Sequence, residues 1–315
     1  MNSILNPNGR CRHSFLILFV VVWCVFDNVI AESELIDADP QSWMTQLSDD
    51  RRLSELSIPG THNSGALFEP LKGTAACQNM TIAQQLNAGV RFFDIRCRHE
   101  NDKFTIYHGP VFQKQTYDGI QKTASEYLDK YPREIILFSV KQEHSPRNIS
   151  RQFADTMRTY IDNKKTLYHT ENNIPRLKEV RGKIVLLRRF PATESFGIDA
   201  TNWGHGGAHQ SRDLFIQDRF EPASAENKWG LIKKTFQYSS HPDKDNLLFL
   251  NFTSGYVKNV LGIPNIHKIS APINNELIKY LDESRQTQLG CVITDFMTPE
   301  LSQAIYQHNF IKENK

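Results

Sequence analysis

The chain has 315 residues, of which 39% are hydrophobic and 23% charged, and these proportions exclude a disordered or collagen-like protein. Its 37 lysines and arginines against 35 aspartates and glutamates give a formal charge of +2, so no nucleic-acid partner is expected. The length suits either two domains or one α/β barrel, which needs about 250 residues.

The first 31 residues have the pattern of a secretory signal peptide. Basic residues at positions 10 and 12 precede an apolar run from Phe15 to Phe26, and Val29-Ile30-Ala31 then offers small residues to a signal peptidase. The run is short for a membrane span, although an uncleaved anchor is the alternative. No later stretch is apolar enough to cross a bilayer, so we expect residues 32–315 to form a soluble, secreted protein.

The cysteines leave two arrangements open. Cys11 and Cys24 belong to the leader, and Cys77, Cys97 and Cys291 remain in the mature chain. A Cys77–Cys97 disulfide and three buried free cysteines are both compatible with this number. No CxxC or Cys/His spacing typical of a zinc site is present.

Short apolar runs of strand length alternate with helical patterns along the rest of the chain. The predicted strands are 53–58, 90–97, 104–107, 135–140, 184–187, 214–216, 247–250 and 291–293. The predicted helices are 81–88, 117–130, 149–162, 227–236, 274–282 and 299–308. This alternation is typical of a parallel sheet covered by helices. We predict one α/β domain, a closed β/α barrel rather than an open sheet, because no GxGxxG turn is present.

Polar residues stand at the C-terminal ends of the predicted strands, where such a barrel places its active site. They include two histidines, up to four cations and four carboxylates. The set is His62, Asn63, Asp94, Arg96, His108, Lys141, Glu143, Arg188, Arg189, Gln217, Asp218, Asn251 and Asp295. Two imidazoles among cations and carboxylates at one barrel mouth indicate an anion-binding site with acid and base groups.

Each of these residues also has a purely structural interpretation. His62 could belong to a capped turn and His108 to a loop, Arg96 could form an ion pair with Asp94, and Asp295 could cap the last helix. All of these interpretations would have to hold together. We therefore favour a functional site.

Three segments resemble the X-domain signature of bacterial-type phosphatidylinositol-specific phospholipase C. They are residues 57–65 (SIPGTHNSG), 89–96 (GVRFFDIR) and 108–109 (HG), in this order and spacing. A weaker resemblance to the same family continues to Asp295, so the resemblance covers nearly all of the mature chain. It implies an irregular TIM-like barrel and a secreted phosphodiesterase that acts as a lyase on phosphatidylinositol, with glycosylphosphatidylinositol-anchored proteins as further candidate substrates.

The resemblance also implies catalytic roles, carried over by position. His62 is expected to be the general base, held in its tautomer by Asp295, and His108 the general acid. Arg96 is expected to bind the phosphate through both arms of its guanidinium, and Asp94 completes this part of the catalytic group. The first product would be inositol 1,2-cyclic phosphate.

Headgroup binding is the second implied role. Lys141, Arg188 and Asp218 resemble the residues that the family uses for the inositol ring and phosphate, with Asp218 accepting hydrogen bonds from ring hydroxyls. Arg189 competes with Arg188 for this position. Phe220 stands where a stacking tyrosine is expected.

Asn63 departs from the bacterial pattern, which usually carries aspartate directly after the histidine. Asparagine is the type found in calcium-dependent eukaryotic relatives, whose other calcium ligands are carboxylates. The matching positions here include Arg96 and Lys141, and these cations would repel calcium. We therefore count Asn63 with the catalytic residues, expect no metal and no cofactor, and treat a weaker or retuned enzyme as a hypothesis.

A lipid-cleaving enzyme must bring its barrel mouth to a membrane, so a monomer in peripheral contact with a phosphatidylinositol-containing surface is expected. The candidate loop residues, which could equally cover the core, are Leu67, Phe68, Leu71, Val260, Leu261 and Ile263. Two other functions stay open. One is a metal-dependent phosphodiesterase barrel, and the other is a non-enzymatic protein that binds inositol headgroups.

Overall fold

The computed structural model describes residues 38–204 and 206–311, so the expected leader at 1–31 lies outside the described part. The strands are β1 (Ser57–Thr61), β2 (Phe92–Glu100), β3 (Lys103–His108), β4 (Val111–Thr116), β5 (Ile136–Arg147), β6 (Tyr168–His169), β7 (Ile184–Arg189), β8 (Ile198–Asp199), β9 (Ala208–Gln210), β10 (Leu214–Gln217), β11 (Leu248–Phe252), β12 (Val257–Lys258), β13 (Pro264–Asn265) and β14 (Gly290–Thr294). The helices are α1 (Ile82–Asn87), α2 (Tyr117–Lys130), α3 (Phe153–Asp162), α4 (Leu177–Val180), α5 (Ala225–Ser239), α6 (His267–Glu283) and α7 (Pro299–Gln307). Within the described ranges, no helix combines the length and apolarity needed to span a membrane.

The central sheet curls into an incomplete barrel. Its order is β6-β7-β5-β2-β1-β14-β11-β10-β9, with neighbours parallel from β6 to β10 and β9 antiparallel to β10. The predicted α/β barrel of parallel strands is therefore present. Its expected closure is wrong, because the described edge strands β6 and β9 have only two and three residues and do not pair with each other.

Alternate side chains of the parallel strands enter two different hydrophobic layers, because successive residues of a strand point to opposite faces. In β7, Val185 and Leu187 pack inside the barrel with Ile58 of β1. Ile184 and Leu186 pack outside, in the layer that the helices cover. Residues two apart therefore reach the same side, and this alternation decides which strand-end side chains face the mouth.

The observed element bounds follow the hydrophobic pattern with local differences. Residues Leu53–Glu55, expected in the first strand, form a 3-10 turn, and β1 starts only at Ser57. Helix α2 spans the predicted residues Tyr117–Lys130, and the Thr116 hydroxyl caps its first turn. The apolar face of α2 packs in the outer layer against the sheet.

The predicted strand at 104–107 forms a hairpin attached to the barrel and is not one of its parallel strands. β2 continues beyond Arg96 to Glu100, and β3 returns antiparallel to it, with Cys97 opposite Ile106. β3 ends at His108 and then pairs with β4. His108 therefore reaches the mouth from a hairpin built on top of β2.

The three cysteines of the described chain, Cys77, Cys97 and Cys291, are free and buried. The alternative of three buried thiols is therefore correct, and the Cys77–Cys97 disulfide is not formed. Cys97 and Cys291 belong to the outer and inner hydrophobic layers, respectively.

Candidate active site

A cavity of about 560 Å³ opens at the C-terminal ends of the barrel strands. Six of the nine predicted site residues line it, namely His62, Arg96, His108, Lys141, Asp218 and Asp295. Asn63, Asp94 and Arg188 do not belong to its wall. The volume lies within the range of about 300–1,000 Å³ that is typical of small-ligand sites.

His62 and Asp295 follow neighbouring parallel strands. β1 and β14 pair up to Thr61 and Thr294, and the backbone N–H of His62 extends the ladder by donating to the Thr294 carbonyl. The side chains meet beyond it, with His62 Nδ1 2.7 Å from Oδ1 of the buried Asp295. A proton on Nδ1 is donated to the carboxylate, so the neutral imidazole keeps its free lone pair on Nε2.

His108 stands across from His62, with ring centroids 6.2 Å apart and planes nearly perpendicular. His108 Nδ1 lies 2.7 Å from the Ala75 carbonyl oxygen, to which it donates, and Nε2 is the remaining ring nitrogen. Burial lowers the pKa of His108 below its ordinary value, the hydrogen bond to Ala75 opposes this effect, and the charge of Arg96 lowers the pKa further.

Asp94 organises the cations from beneath the cavity. It is fully buried and accepts hydrogen bonds from Arg96 Nε at 2.8 Å, Arg189 Nη1 at 3.1 Å and the backbone N–H of Asn63 at 3.1 Å. Burial raises the pKa of Asp94, but the two guanidinium groups outweigh burial and hold it well below its usual range. Asp94 does not line the cavity and touches the site through Arg96 and Arg189, so its predicted membership of the catalytic group stays a prediction, with positioning of the two arginines as the role its contacts support.

Glu143 is a site residue that the sequence placed at a strand end without a role. It follows Lys141 by two positions on β5 and therefore shares its side of the strand. Its carboxylate lies 2.7 Å from Lys141 Nζ and 3.5 Å from Arg96 Nη1, and it accepts from the Gly109 N–H. Burial would raise the pKa of Glu143, but Arg96 and Lys141 lower it to about 2. Glu143 thus holds both cations and the loop after His108.

The choice of Arg188 for headgroup binding is wrong. Arg188 donates to the carbonyls of Phe196 and Phe190 and pairs with Asp199 at 3.0 Å, all in the outer layer. Arg189 lines the cavity instead, since it follows the inward-facing Leu187 by two positions.

Trp203 is a second cavity residue that the strand pattern did not indicate, because it lies in the loop between β8 and β9. The guanidinium carbon of Arg189 lies 3.4 Å from the centre of the Trp203 ring, a cation–π contact. The indole N–H of Trp203 donates to Asp218 at 2.9 Å. Trp203 therefore fixes both headgroup candidates on this side of the cavity.

Asn63 is buried beneath the site rather than in it. Its φ of 40° lies in the left-handed region, which asparagine tolerates better than most residues. Within the described chain its side-chain nitrogen and oxygen have no hydrogen-bond partner. Asn63 does not line the cavity, and its backbone N–H donates to Asp94, so its predicted place among the catalytic residues stays a prediction.

Cys77 brings a thiol against both histidines, which the spacing of the sequence did not reveal. Its Sγ lies 3.6 Å from His108 Nδ1. Potential ligand atoms of His62, Cys77 and Asp295 all lie within 4.8 Å of one another, so these three residues could hold a metal ion. The loop 66–77 folds back on itself, with the Cys77 N–H donating to Ala66, and so delivers the thiol.

Comparison with known proteins shows the family of this chain. Residues 50–190 match the family model of the phosphatidylinositol-specific phospholipase C X domain. A 1-phosphatidylinositol phosphodiesterase of Listeria monocytogenes is 33% identical over 291 residues, 87% of this chain and 85% of the relative. The chain belongs to the phosphatidylinositol-specific phospholipase C family. The resemblance noted in the sequence and the expectation of a phospholipase C-type enzyme are thereby confirmed.

Other relatives confirm the fold. The 1-phosphatidylinositol phosphodiesterase of Staphylococcus aureus is 28% identical over 90% of this chain and 92% of its own. The solved phosphatidylinositol-specific phospholipase C of Listeria monocytogenes superposes with a TM-score of 0.73 and 29% identity, covering 86% of this chain and 99% of that chain. The irregular TIM-like barrel that the resemblance implied is correct.

Proposed function

We propose that this protein is a secreted phospholipase C that cleaves phosphatidylinositol to diacylglycerol and inositol 1,2-cyclic phosphate without a metal ion. The observation that carries the proposal is the Asp295–His62 pair facing His108, with Arg96 in the same cavity. Relatives over most of the chain are 1-phosphatidylinositol phosphodiesterases. Glycosylphosphatidylinositol anchors contain the same phosphodiester and are candidate substrates of the same site.

The reaction needs one base, one acid and stabilisation of charge on phosphorus. His62 Nε2 accepts the proton of the inositol 2-hydroxyl, and the oxygen attacks phosphorus to form the cyclic diester. The bond from phosphorus to the diacylglycerol oxygen breaks, and protonated His108 gives that oxygen its proton. Asp295 stabilises the imidazolium formed on His62, and Arg96 stabilises the charge on the phosphoryl oxygens.

The other cavity residues suit a polyhydroxylated anionic headgroup. Lys141 and Arg189 supply positive charge, and the Asp218 carboxylate can accept hydrogen bonds from ring hydroxyls beside its bond from Trp203. Phe220, where the family resemblance suggested a tyrosine, lines the cavity as an apolar surface.

The direct test is incubation of the mature protein with phosphatidylinositol vesicles in excess chelator, followed by phosphorus NMR. We expect inositol 1,2-cyclic phosphate, and none from phosphatidylcholine vesicles. Product that forms only after calcium is added would contradict a metal-free site. Headgroup binding without product in either condition would show a binding protein instead of an enzyme.

The two neighbouring arginines of β7 provide a matched pair of variants. Arg189→Met should lower kcat/KM for phosphatidylinositol by about 10²-fold, in the range found when a single charge-stabilising donor is removed. Arg188→Met should lower stability, since it leaves Asp199 and two carbonyls without their partner, but the folded variant should keep its kcat/KM. Steady-state kinetics on both folded variants check this, and an equal loss in both would contradict the assignment of Arg189.

The pKa of His108 should respond to ligand charge. In the free protein we expect its imidazole to titrate below the ordinary histidine pKa of about 6.5, because it is buried near Arg96. A bound phosphate dianion should raise that pKa, since negative charge favours imidazolium. His108 would then be protonated and able to act as the general acid. A pH titration by NMR of ring-labelled histidine, with His108→Ala to assign the signal, measures both values. A pKa unchanged by phosphate would contradict the role.

We propose that the membrane is contacted by the rim hairpin, residues 257–265, which comprises β12, β13 and their connection. It is flanked by the cavity residues Tyr256 and Ile266 and presents the fully exposed Val260 and the 79% exposed Leu261. The Ile266 N–H donates to the Gly73 carbonyl, which places the loop carrying exposed Leu71 beside the hairpin. A Staphylococcus aureus relative, solved in connection with its membrane binding, supports a peripheral mode.

The double variant Val260→Ser, Leu261→Ser should bind phosphatidylinositol vesicles at least about 10-fold more weakly, because burial of each aliphatic side chain is worth about 1.5–3 kcal/mol. Vesicle sedimentation measures this partition. Cleavage of a water-soluble inositol phosphodiester should be unchanged, since neither side chain lines the cavity. Unchanged vesicle binding would place the membrane contact elsewhere.

A further inference from the structure

Cys77 is a buried thiol directly behind the cavity residues, and the proposed reaction has no use for it. Its Sγ lies 3.6 Å from His108 Nδ1. It also belongs to a cluster with His62 and Asp295, in which one potential ligand atom of each residue lies within 4.8 Å of the others. Burial, reinforced by the charge of Asp295, raises the pKa of the Cys77 thiol well above its ordinary value. The free thiol is therefore protonated and unreactive, and it becomes a strong ligand only when a cation displaces its proton.

We propose that His62, Cys77 and Asp295 form an inhibitory site for zinc. One thiolate, one imidazole and one carboxylate are a donor set that zinc binds, whereas calcium and magnesium prefer oxygen ligands. Ligand atoms around a tetrahedral zinc lie roughly 3.5 Å apart for Zn–S of 2.3 Å and Zn–N of about 2.0 Å, so side-chain shifts of about 1 Å assemble the site. The inhibition rests on the proposed function, while the binding does not.

Charge and access both fit this cation. Zn²⁺ with one thiolate and one carboxylate has no net charge, which suits a buried position. His62 and Asp295 line the cavity and give the ion an entry path to Cys77, which lies behind them. Three protein ligands leave the fourth position of the tetrahedron to water.

The bond to His62 explains the inhibition. Zinc takes the Nδ1 lone pair, and the one remaining imidazole proton must then lie on Nε2. His62 in that tautomer cannot accept the proton of the inositol 2-hydroxyl. The thiol proton of Cys77 is released to solvent, Asp295 keeps its charge, and no electron transfer is involved.

Cobalt(II) tests the binding independently of activity, because a cobalt–thiolate bond gives a charge-transfer band in the near ultraviolet. The wild type should show this band on titration with cobalt and lose it when zinc is added. Cys77→Ser and Cys77→Ala should lack the band, while Cys291→Ala, which removes another buried thiol, should retain it. A missing band in the wild type, or one that survives in both Cys77 variants, would overturn the site.

Zinc titration of vesicle cleavage tests the consequence. Cys77→Ser should require at least 10- to 100-fold more zinc for half inhibition, since even indirect partners of metal ligands are worth roughly that factor in affinity. Magnesium at the same concentrations should not inhibit. Equal zinc sensitivity of wild type and variant would overturn the inference while leaving the proposed function intact. A cobalt band in a protein without phospholipase C activity would support the zinc site and refute the proposed function.

Discussion

Replacing His62 with alanine should lower kcat for phosphatidylinositol cleavage by roughly 10²- to 10⁴-fold, the usual worth of a positioned general base. His62 lines the cavity and pairs with Asp295, and alanine removes the proton acceptor while Arg96, Lys141 and Arg189 stay in place. KM should therefore change little. Steady-state kinetics on vesicles separate the two effects.

His241→Ala is the matched control for this variant, because His241 is exposed and lies outside the cavity. It should keep the wild-type kcat. His108→Ala should lose activity to an extent similar to His62→Ala, and the double variant should lose less than the product of the two, since both groups act in one transition state. A His62→Ala variant with more than a tenth of the wild-type kcat would contradict the base assignment.

Replacing Asp94 with alanine should lower the free energy of unfolding by about 3–5 kcal/mol, the cost of removing one partner from a buried ion pair. The variant leaves the guanidinium groups of Arg96 and Arg189 without their shared carboxylate and the Asn63 N–H without its acceptor. Urea denaturation followed by circular dichroism measures the change. The same loss should disorder Arg96 and lower activity in the folded fraction.

Asp49→Ala is the control, because Asp49 also pairs with two arginines, Arg133 and Arg181, but at the surface. Its effect should be much smaller, since solvent screens exposed pairs. The contribution of Asp94 is fully present above its unfolded pKa of about 4 and is lost only as the pH falls through the lower folded value. A destabilisation of Asp94→Ala no larger than that of Asp49→Ala at neutral pH would contradict the buried network.

Much of the site could be predicted because of one property of parallel barrels. Their strands all end at the same mouth, so a polar residue at a strand end is placed near the others however distant in sequence. His62, Arg96, Lys141 and Asp295 were found in this way, and all four line the cavity. The residue types alone then indicated acid–base chemistry on an anion.

Arg188 shows where the pattern was insufficient. Strand periodicity predicts that Arg188 and Arg189 point to opposite faces of the sheet. The apolar residues before them are buried on both faces, so the sequence does not reveal which face is the inside of the barrel. The packing of Val185 and Leu187 against the β1 residue Ile58 decides that phase. The sequence likewise did not show that Asp94 and Asn63 lie beneath the cavity, because the depth of a side chain below the mouth depends on how the layers pack.

By itself, therefore, the sequence determined the barrel, the family and the set of strand-end residues, since hydrophobic periodicity and local motifs are properties of short segments. Only the tertiary structure decided that Glu143 holds Lys141 and Arg96, that Trp203 stacks on Arg189, and that Cys77 lies against His108 and near His62. These contacts join loops and strands that are far apart along the chain. Their geometry follows from how the whole barrel packs, and no local pattern encodes it.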